Sequence, residues 1–307
     1  MLLDHGDTHA RAGERAGGDV VAARSARQAG KWGLPNPPEG HWWWVSVQTS
    51  AVRDRGLPDL SGTVTVVTGA GGGIGSGIAL RFAAAGAAVV VHHRTNRERA
   101  GAVAATIRAA GGQAALAQAD VTRPDECAAV MAMAVERFGR LDAVVASTGV
   151  QPVADLAGMT TQTWREVLDA NATGAFVTVQ AAAEVLRGRG GSITLVASIE
   201  GTRPAPGHAH YASAKAAVLM LARGAALEYG HDGVRVNTVS PGLVRRDGLT
   251  DEWPDGVARW ERAAPLGRLG ESSDVGDACV FLASPMARWI SGHDLVVDGG
   301  MAAVPSW

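Results

Sequence analysis

From Leu57 onward, short apolar and largely β-branched runs alternate with longer alanine-rich stretches whose apolar positions recur at helical spacing. The short runs predict strands over 64–68, 88–92, 114–119, 142–147, 193–198, 234–239 and 294–297. The stretches between them predict helices over 75–85, 96–110, 124–138, 160–186, 210–229 and 272–283. A run such as Val64, Val66 and Val67 reads as a strand buried on both faces, as in a parallel sheet. Strict alternation of strand and helix predicts an α/β architecture, a doubly wound seven-stranded parallel sheet with helices on both faces. Ligands of such sheets bind at the carboxyl ends of the strands. The segments 160–186 and 210–229 are apolar on more than one face, which predicts packing against a second subunit.

The first 56 residues are different in kind, and a division into an N-terminal extension, 1–56, and a single domain, 57–307, is expected. The extension is rich in Gly, Arg and Ala, then passes through Pro35-Asn36-Pro37-Pro38 into His41-Trp42-Trp43-Trp44-Val45. Its charged, glycine-broken start lacks the continuous apolar stretch of a signal peptide. Disorder is expected for 1–30, and 41–47 is either part of that leader or an arm docked on the domain or on a second subunit.

Composition narrows the function. A chain of 307 residues that is 47% hydrophobic can bury one large core. A net charge of −2 gives no broad basic field for nucleic acid. No run of ~18 apolar residues is available to span a membrane. Cys127 and Cys279 lie in predicted helices without metal-ligand spacing and are expected to be reduced core residues of a cytoplasmic protein. His208 and His210 sit in a Pro/Gly-rich loop without a third ligand nearby, so no metal is expected there, and a substrate-facing loop is.

Two constellations carry chemistry. In the first, Tyr211-x-x-x-Lys215 places a phenol and an ammonium one helical turn apart, with Ser198 upstream at a strand end. A free phenol titrates near 10 and is a poor acid or base at neutral pH. A neighbouring ammonium is expected to lower that value, while Ser198 holds a substrate oxygen in line with the phenol. Such a set acts on an alcohol or a carbonyl. In the second, the strand at 64–68 breaks into Gly69-x-x-x-Gly73-Ile74-Gly75, with Gly71 and Gly72 between, and then enters a helix. Strand, glycine loop and helix N-terminus together receive a pyrophosphate.

These motifs, in this order, resemble the short-chain dehydrogenase/reductase family over residues from about Leu57 to Ala303. Thr68-Gly69-x-x-x-Gly73-Ile74-Gly75 resembles its cofactor loop, and Asp120-Val121 the pair that holds the adenine. Asn171 resembles the asparagine of its fourth helix. Ser198, Tyr211 and Lys215 complete its catalytic set, and Val234 to Gly242, ending in Pro241-Gly242, resembles the strand and turn beneath the nicotinamide. The resemblance implies a Rossmann-like fold, a nicotinamide cofactor and a homotetramer, with a dimer next. It also implies roles: Tyr211 gives the proton, Ser198 stabilises the substrate oxygen, Lys215 tunes the phenol and grips the ribose, and Asn171 holds a water linking Lys215 to solvent.

Two departures from the family pattern stand out. Ala146-Ser147-Thr148-Gly149 replaces the usual Asn-Asn-Ala-Gly and removes polar ties, although Gly149 still permits close approach to the cofactor. After Pro241-Gly242 come Leu243 and Val244 where a threonine often follows, leaving the backbone of Val244 to meet the amide. At the end of the second strand, His93, Arg94 and Thr95 stand where NAD enzymes place a carboxylate. With no carboxylate in that position and a guanidinium able to bind phosphate, NADP(H) is the expected cofactor, with NAD(H) the alternative.

The substrate is expected to be a bulky, flat or apolar ketone. A lid at 243–264 carries Leu243, Leu249, Trp253 and Trp260, and the 199–210 loop adds Ile199, Glu200, Pro204 and Pro206. The Ala/Arg/Gly-rich composition suggests a ketoreductase of an aromatic polyketide. The alternatives are a 3-oxoacyl thioester reductase, with Arg245, Arg246, Arg259 and Arg262 as the only carrier-docking candidates, and an alcohol dehydrogenase working oxidatively. From another class comes a catalytically silent NADP-sensing protein, which the retained tyrosine and lysine oppose.

Overall fold

A computed structural model describes residues 57–303. The extension 1–56 and its tryptophans lie outside the described residues, as does 304–307. The strands are β1 (Val64–Thr68), β2 (Ala88–His93), β3 (Ala114–Gln118), β4 (Ala143–Ala146), β5 (Gly191–Val196), β6 (Val234–Pro241) and β7 (Asp294–Val297). All pair in parallel in the order β3-β2-β1-β4-β5-β6-β7. The chain starts at the centre of the sheet, winds to one edge, then returns to the centre and winds to the other. The reversal falls between β1 and β4, whose ends are level, with Thr68 beside Ala146. A crevice opens outside that point.

Every residue of β1, β2 and β4 is buried, which accounts for their lack of polar alternation. The helices are α1 (Gly73–Ala84), α2 (Arg97–Ala109), α3 (Pro124–Phe138), α4 (Thr161–Leu168), α5 (Gly174–Leu186), α6 (Ala209–Tyr229), α7 (Leu249–Glu252), α8 (Pro254–Ala263) and α9 (Ser272–Ala283). One face of the sheet, with Val66, Val90, Val144, Ile193 and Leu195, packs on α3, α5 and α6. The other, with Val67, Val89, Val91, Val145 and Val239, packs on α1, α2 and α9. Each such side chain contributes about 1.5–3 kcal/mol, so these two layers hold the strand ends, and hence the crevice, in fixed relation.

The helix expected over 160–186 runs from Thr161 to Leu186 and contains one irregular turn. Asp169–Thr173 forms a π-helical turn between α4 and α5. The cause is Asn171, whose amide Nδ2 donates to Val167 O at 2.9 Å and to Val150 O at 2.9 Å. A side-chain donor that takes the carbonyl four residues back displaces the backbone N–H from it and widens the turn. The expected lid folds into α7 and α8 around Leu249, Val257 and Leu269, with Leu243 and Trp260 packed against them. Phe176 on α5 and Met220 and Leu227 on α6 are exposed, 44%, 61% and 86%. Among the described residues no helix is long and apolar enough to cross a membrane.

Candidate active site

The glycine loop leaves β1 and is bolted down by a residue the sequence reading passed over. Gly69 N–H donates to His92 Nδ1 at 3.1 Å, and Ala70 N–H to His92 O at 2.9 Å. The other ring nitrogen therefore carries the hydrogen, and Nε2 donates to Ala119 O at 3.0 Å. Burial, the dominant effect, holds this imidazole below the ordinary histidine range, so it is neutral and joins the ends of β1, β2 and β3. The one signal that finds it is the register of the sheet, which sets the end of β2 beside the end of β1.

Beyond the bolt, Gly71, Gly72 and the first turn of α1 (Gly73, Ile74, Gly75) line a cleft of about 2180 Å³. A Cβ at Gly75 would stand 2.3 Å from Gly69 O, so only glycine lets the helix start this close to the loop. The cleft exceeds the roughly 300–1,000 Å³ of a single small-ligand pocket and has room for a dinucleotide and a substrate together. His93, Arg94 and Thr95 line it at the end of β2, and Asp120 and Val121 after β3. His93 is buried with both ring nitrogens unpartnered among the described residues, groups that fit a ribose. A carboxylate does stand near Arg94, contrary to the sequence reading: Asp120 Oδ2 is 3.8 Å from its Nη1. The Asp120 carboxylate accepts from Thr122 Oγ1 at 2.7 Å and Thr122 N at 3.0 Å, and those bonds hold it below the usual carboxylate range.

Past β4, Ser147 and Gly149 line the same cleft. The expected loss of polar ties in this segment is partly made good, because Ser147 N–H donates to Thr68 Oγ1 at 3.1 Å and links β4 to β1. A Cβ on Gly149 would lie 2.5 Å from Asn171 Oδ1 and 3.5 Å from Lys215 Nζ. That amide oxygen is buried without a partner among the described residues, an acceptor beside the lysine. Gly149→Ala should therefore drive Asn171 from its turn. Overpacking of this kind costs about 1–3 kcal/mol, which at about 2–4 °C per kcal/mol lowers the melting midpoint by roughly 5 °C. A thermal melt superimposable on the wild type would show that the contact is slack.

Ser198 follows β5 and Tyr211 and Lys215 stand one turn apart on α6. Ser198 stands near enough to Tyr211 to favour the ionised form of its phenol. Ser198 Oγ also accepts from Glu200 N at 3.1 Å. Lys215 Nζ donates to Val196 O at 2.8 Å and lies 5.6 Å from the centroid of the Tyr211 ring. Burial lowers the Lys215 ammonium to about 8. Burial likewise pushes the Tyr211 phenol up to about 12; the Ser198 hydroxyl opposes the rise and the Glu200 carboxylate adds to it. This corrects the expectation of a phenol lowered by lysine. Desolvation outweighs the neighbouring charge, which is itself costly in that pocket and turned to a backbone carbonyl. At neutral pH Tyr211 therefore carries its proton.

At the end of β6, Pro241, Gly242 and Val244 line the cleft wall. Trp253 and Trp260 also line it; Trp260 belongs to the lid's own core, whereas Trp253 is half exposed under Arg259. His210 does not face substrate as expected: it lies within α6, fully buried, while His208 caps that helix and lines the cleft. Cys127 and Cys279 are buried free thiols, both pushed up by burial.

A seven-stranded parallel sheet with a glycine loop, Ser, Tyr and Lys at one mouth defines a dinucleotide-dependent oxidoreductase. Residues 69–302 match the family model described as enoyl-(acyl carrier protein) reductase. Relatives include a 2,5-dichloro-2,5-cyclohexadiene-1,4-diol dehydrogenase of Sphingobium indicum, 37% identical over 78% of this chain and 96% of that one. A 3β-hydroxysteroid dehydrogenase of Eggerthella lenta is 36% identical over 81% and 97%, and a 3-oxoacyl-[acyl-carrier-protein] reductase of Staphylococcus aureus 37% over 77% and 96%. Among solved structures, a 7α-hydroxysteroid dehydrogenase complexed with NADH and 7-oxo glycochenodeoxycholic acid is 33% identical with a TM-score of 0.75, covering 79% of this chain and 95% of that one. The chain belongs to the short-chain dehydrogenase/reductase family. It is an oxidoreductase of the kind that works with a nicotinamide cofactor.

Proposed function

We propose that this protein reduces a bulky cyclic ketone to a secondary alcohol with NADPH. The observation that carries the reading is the convergence of Ser198, Lys215 and a protonated Tyr211 on the wall of one cleft large enough for cofactor and substrate. When bound, the nicotinamide supplies the hydride. Gly71, Gly72 and the N-terminus of α1 would hold its pyrophosphate, His93 and Arg94 the adenosine ribose and its phosphate, and Asp120 and Val121 the adenine. Tyr211 donates a proton to the carbonyl oxygen as charge develops there, and Ser198 shares that oxygen. Lys215, near its titration point at about 8, and Asn171 form the route by which the phenol regains its proton.

The apolar side of the cleft, with Leu243, Val153 and Trp253, supports a ring-shaped substrate, aromatic polyketides among them. Relatives named for a cyclohexadienediol and for hydroxysteroids support the same class. A carrier-bound thioester is less well served, since Arg245 pairs with Glu271, Arg246 with Glu252, and Arg259 stacks on Trp253. The four-residue Tyr–Lys spacing favours carbonyl over enoyl chemistry. The exposed Phe176, Met220 and Leu227 support a homotetramer or, failing that, a dimer; the reduced cysteines support a cytoplasmic site.

The test is NADPH and NADH oxidation against polycyclic aromatic ketones, simple cyclic ketones and acyl thioesters. Turnover on cyclic ketones with NADPH supports the reading; turnover confined to thioesters, or to alcohols with oxidised cofactor, replaces it. Arg94→Ala is expected to raise KM for NADPH by roughly tenfold, the worth of a charge-assisted bond, with KM for NADH nearly unmoved. Equal effects on both would assign Arg94 to solvent and to Asp120.

A further inference from the structure

Beside the proton-transfer pair, the cleft wall contains a polar cluster that the reaction as described does not use. Glu200 lies in the single turn Ile199–Gly201, two residues after Ser198, and His208 at the start of α6, three residues before Tyr211. His208 Nδ1 is 2.9 Å from Glu200 Oε2 and 3.2 Å from Oε1, and Gln151 Nε2 donates to Oε1 at 2.8 Å. The Glu200 and His208 side chains are 16% and 18% exposed, and what is exposed lines the cleft.

The hydrogen-bonding sense of the cluster is fixed. A carboxylate only accepts, so His208 Nδ1 carries a hydrogen and, in the neutral ring, Nε2 is an acceptor. Gln151 directs one of its two amide hydrogens at Glu200 Oε1, and its Nε2 also lies 3.4 Å from His208 Nδ1. The acceptors of this part of the wall are therefore the remaining lone pairs of the Glu200 carboxylate and the His208 Nε2. A carboxylate this enclosed is costly unless its remaining lone pairs are used, and this one also opposes ionisation of the neighbouring phenol. An apolar residue in its place would avoid both costs. The arrangement suits a ligand that brings a donor of its own.

We infer that Glu200, held by His208 and Gln151, is a specificity residue that binds a second hydroxyl on the substrate ring, so that the preferred substrates are hydroxyketones and the corresponding diols. The inference rests on the reading of the cleft as a carbonyl and alcohol site.

The experiment compares kcat/KM for cyclohexanone, 2-hydroxycyclohexanone and 4-hydroxycyclohexanone in the wild type, Glu200→Gln and Glu200→Ala. Wild type is expected to prefer one hydroxyketone by roughly tenfold or more, as a site built to meet a substrate hydroxyl rejects the analogue lacking it. That ratio should shrink in Glu200→Gln, which keeps shape and loses charge, and fall to about one in Glu200→Ala. A second arm needs no turnover: ligand-observed NMR titration of cyclohexanol, cyclohexane-1,2-diol and cyclohexane-1,4-diol into cofactor-loaded Tyr211→Phe, with and without Glu200→Gln. A diol preference there that Glu200→Gln removes supports the inference even if no ketone is reduced, in which case only the ketone-reductase reading fails. No hydroxyl preference in either arm, a preference that survives Glu200→Ala, or tighter binding of 2-aminocyclohexanol than of either diol overturns it. A variant that melts at the wild-type temperature and still loses the preference separates recognition from a merely structural clamp.

Discussion

Tyr211→Phe is expected to cut kcat by about 10²–10⁴-fold, the usual contribution of a positioned general acid, with the dissociation constant for NADPH within twofold of wild type. The change removes one oxygen and leaves the ring, which packs beside His208 with centroids 6.2 Å apart. Ser198 keeps its bond from Glu200 N, so the substrate oxygen retains one donor and no proton source. Single-turnover absorbance at 340 nm and cofactor fluorescence titration read the two quantities separately. Near-wild-type turnover would move proton donation to another group, and weakened cofactor binding would make Tyr211 a binding residue first.

Lys215→Met should abolish most turnover and make the fold more stable at pH 7. Lys215 is 5% exposed and the pKa of its ammonium falls from 10.5 to about 8 through burial alone. That difference amounts to roughly 3 kcal/mol against folding at neutral pH, partly offset by the bond to Val196 O, worth about 1 kcal/mol. The sign follows from the protons bound. Between pH 8 and 10.5 the unfolded chain holds a proton here that the folded chain has released, so wild-type stability rises with pH across that window. Below pH 8 both states are protonated and the full cost is present. Methionine has no such dependence. Its advantage in denaturant midpoint should be largest at pH 7 and shrink toward pH 10, where the raised Tyr211 begins to act in the opposite direction. A variant less stable than wild type at pH 7 would mean that the Val196 bond outweighs desolvation.

The two effects belong together. A lysine that costs stability and a tyrosine kept from ionising are what remain when a proton-transfer group is enclosed for chemistry rather than for folding. Glu200 adds to the second effect, a carboxylate whose charge opposes the phenolate.

Much of this molecule was legible in the chain. The apolar runs gave all seven strands, most sharply β1, β2 and β4, because a strand buried on both faces leaves little room for polar residues. The helix expected at 124–138 is found at Pro124–Phe138, with Pro124 at its start and Gly139 just past its end. The glycine loop, Ser198, Tyr211 and Lys215 were found as motifs because each depends on neighbours close in sequence, and all of them line one cleft. The helix expected at 160–186 runs from Thr161 to Leu186, but its π-helical turn could not be foreseen, because periodicity cannot register a side chain that competes for its own helix's carbonyl, as Asn171 does.

Local pattern thus determined the element order, the doubly wound sheet and the residues proposed for proton transfer. Tertiary structure alone decided His92 as the bolt of the glycine loop, the approach of Asp120 to Arg94, the Glu200–His208–Gln151 cluster and the direction in which Tyr211 titrates. The physical reason is common to all four. Periodicity and spacing record which backbone a residue prefers and which face it lies on, whereas hydrogen-bond partners and desolvation depend on groups tens of residues away that meet only when the strand ends are brought level.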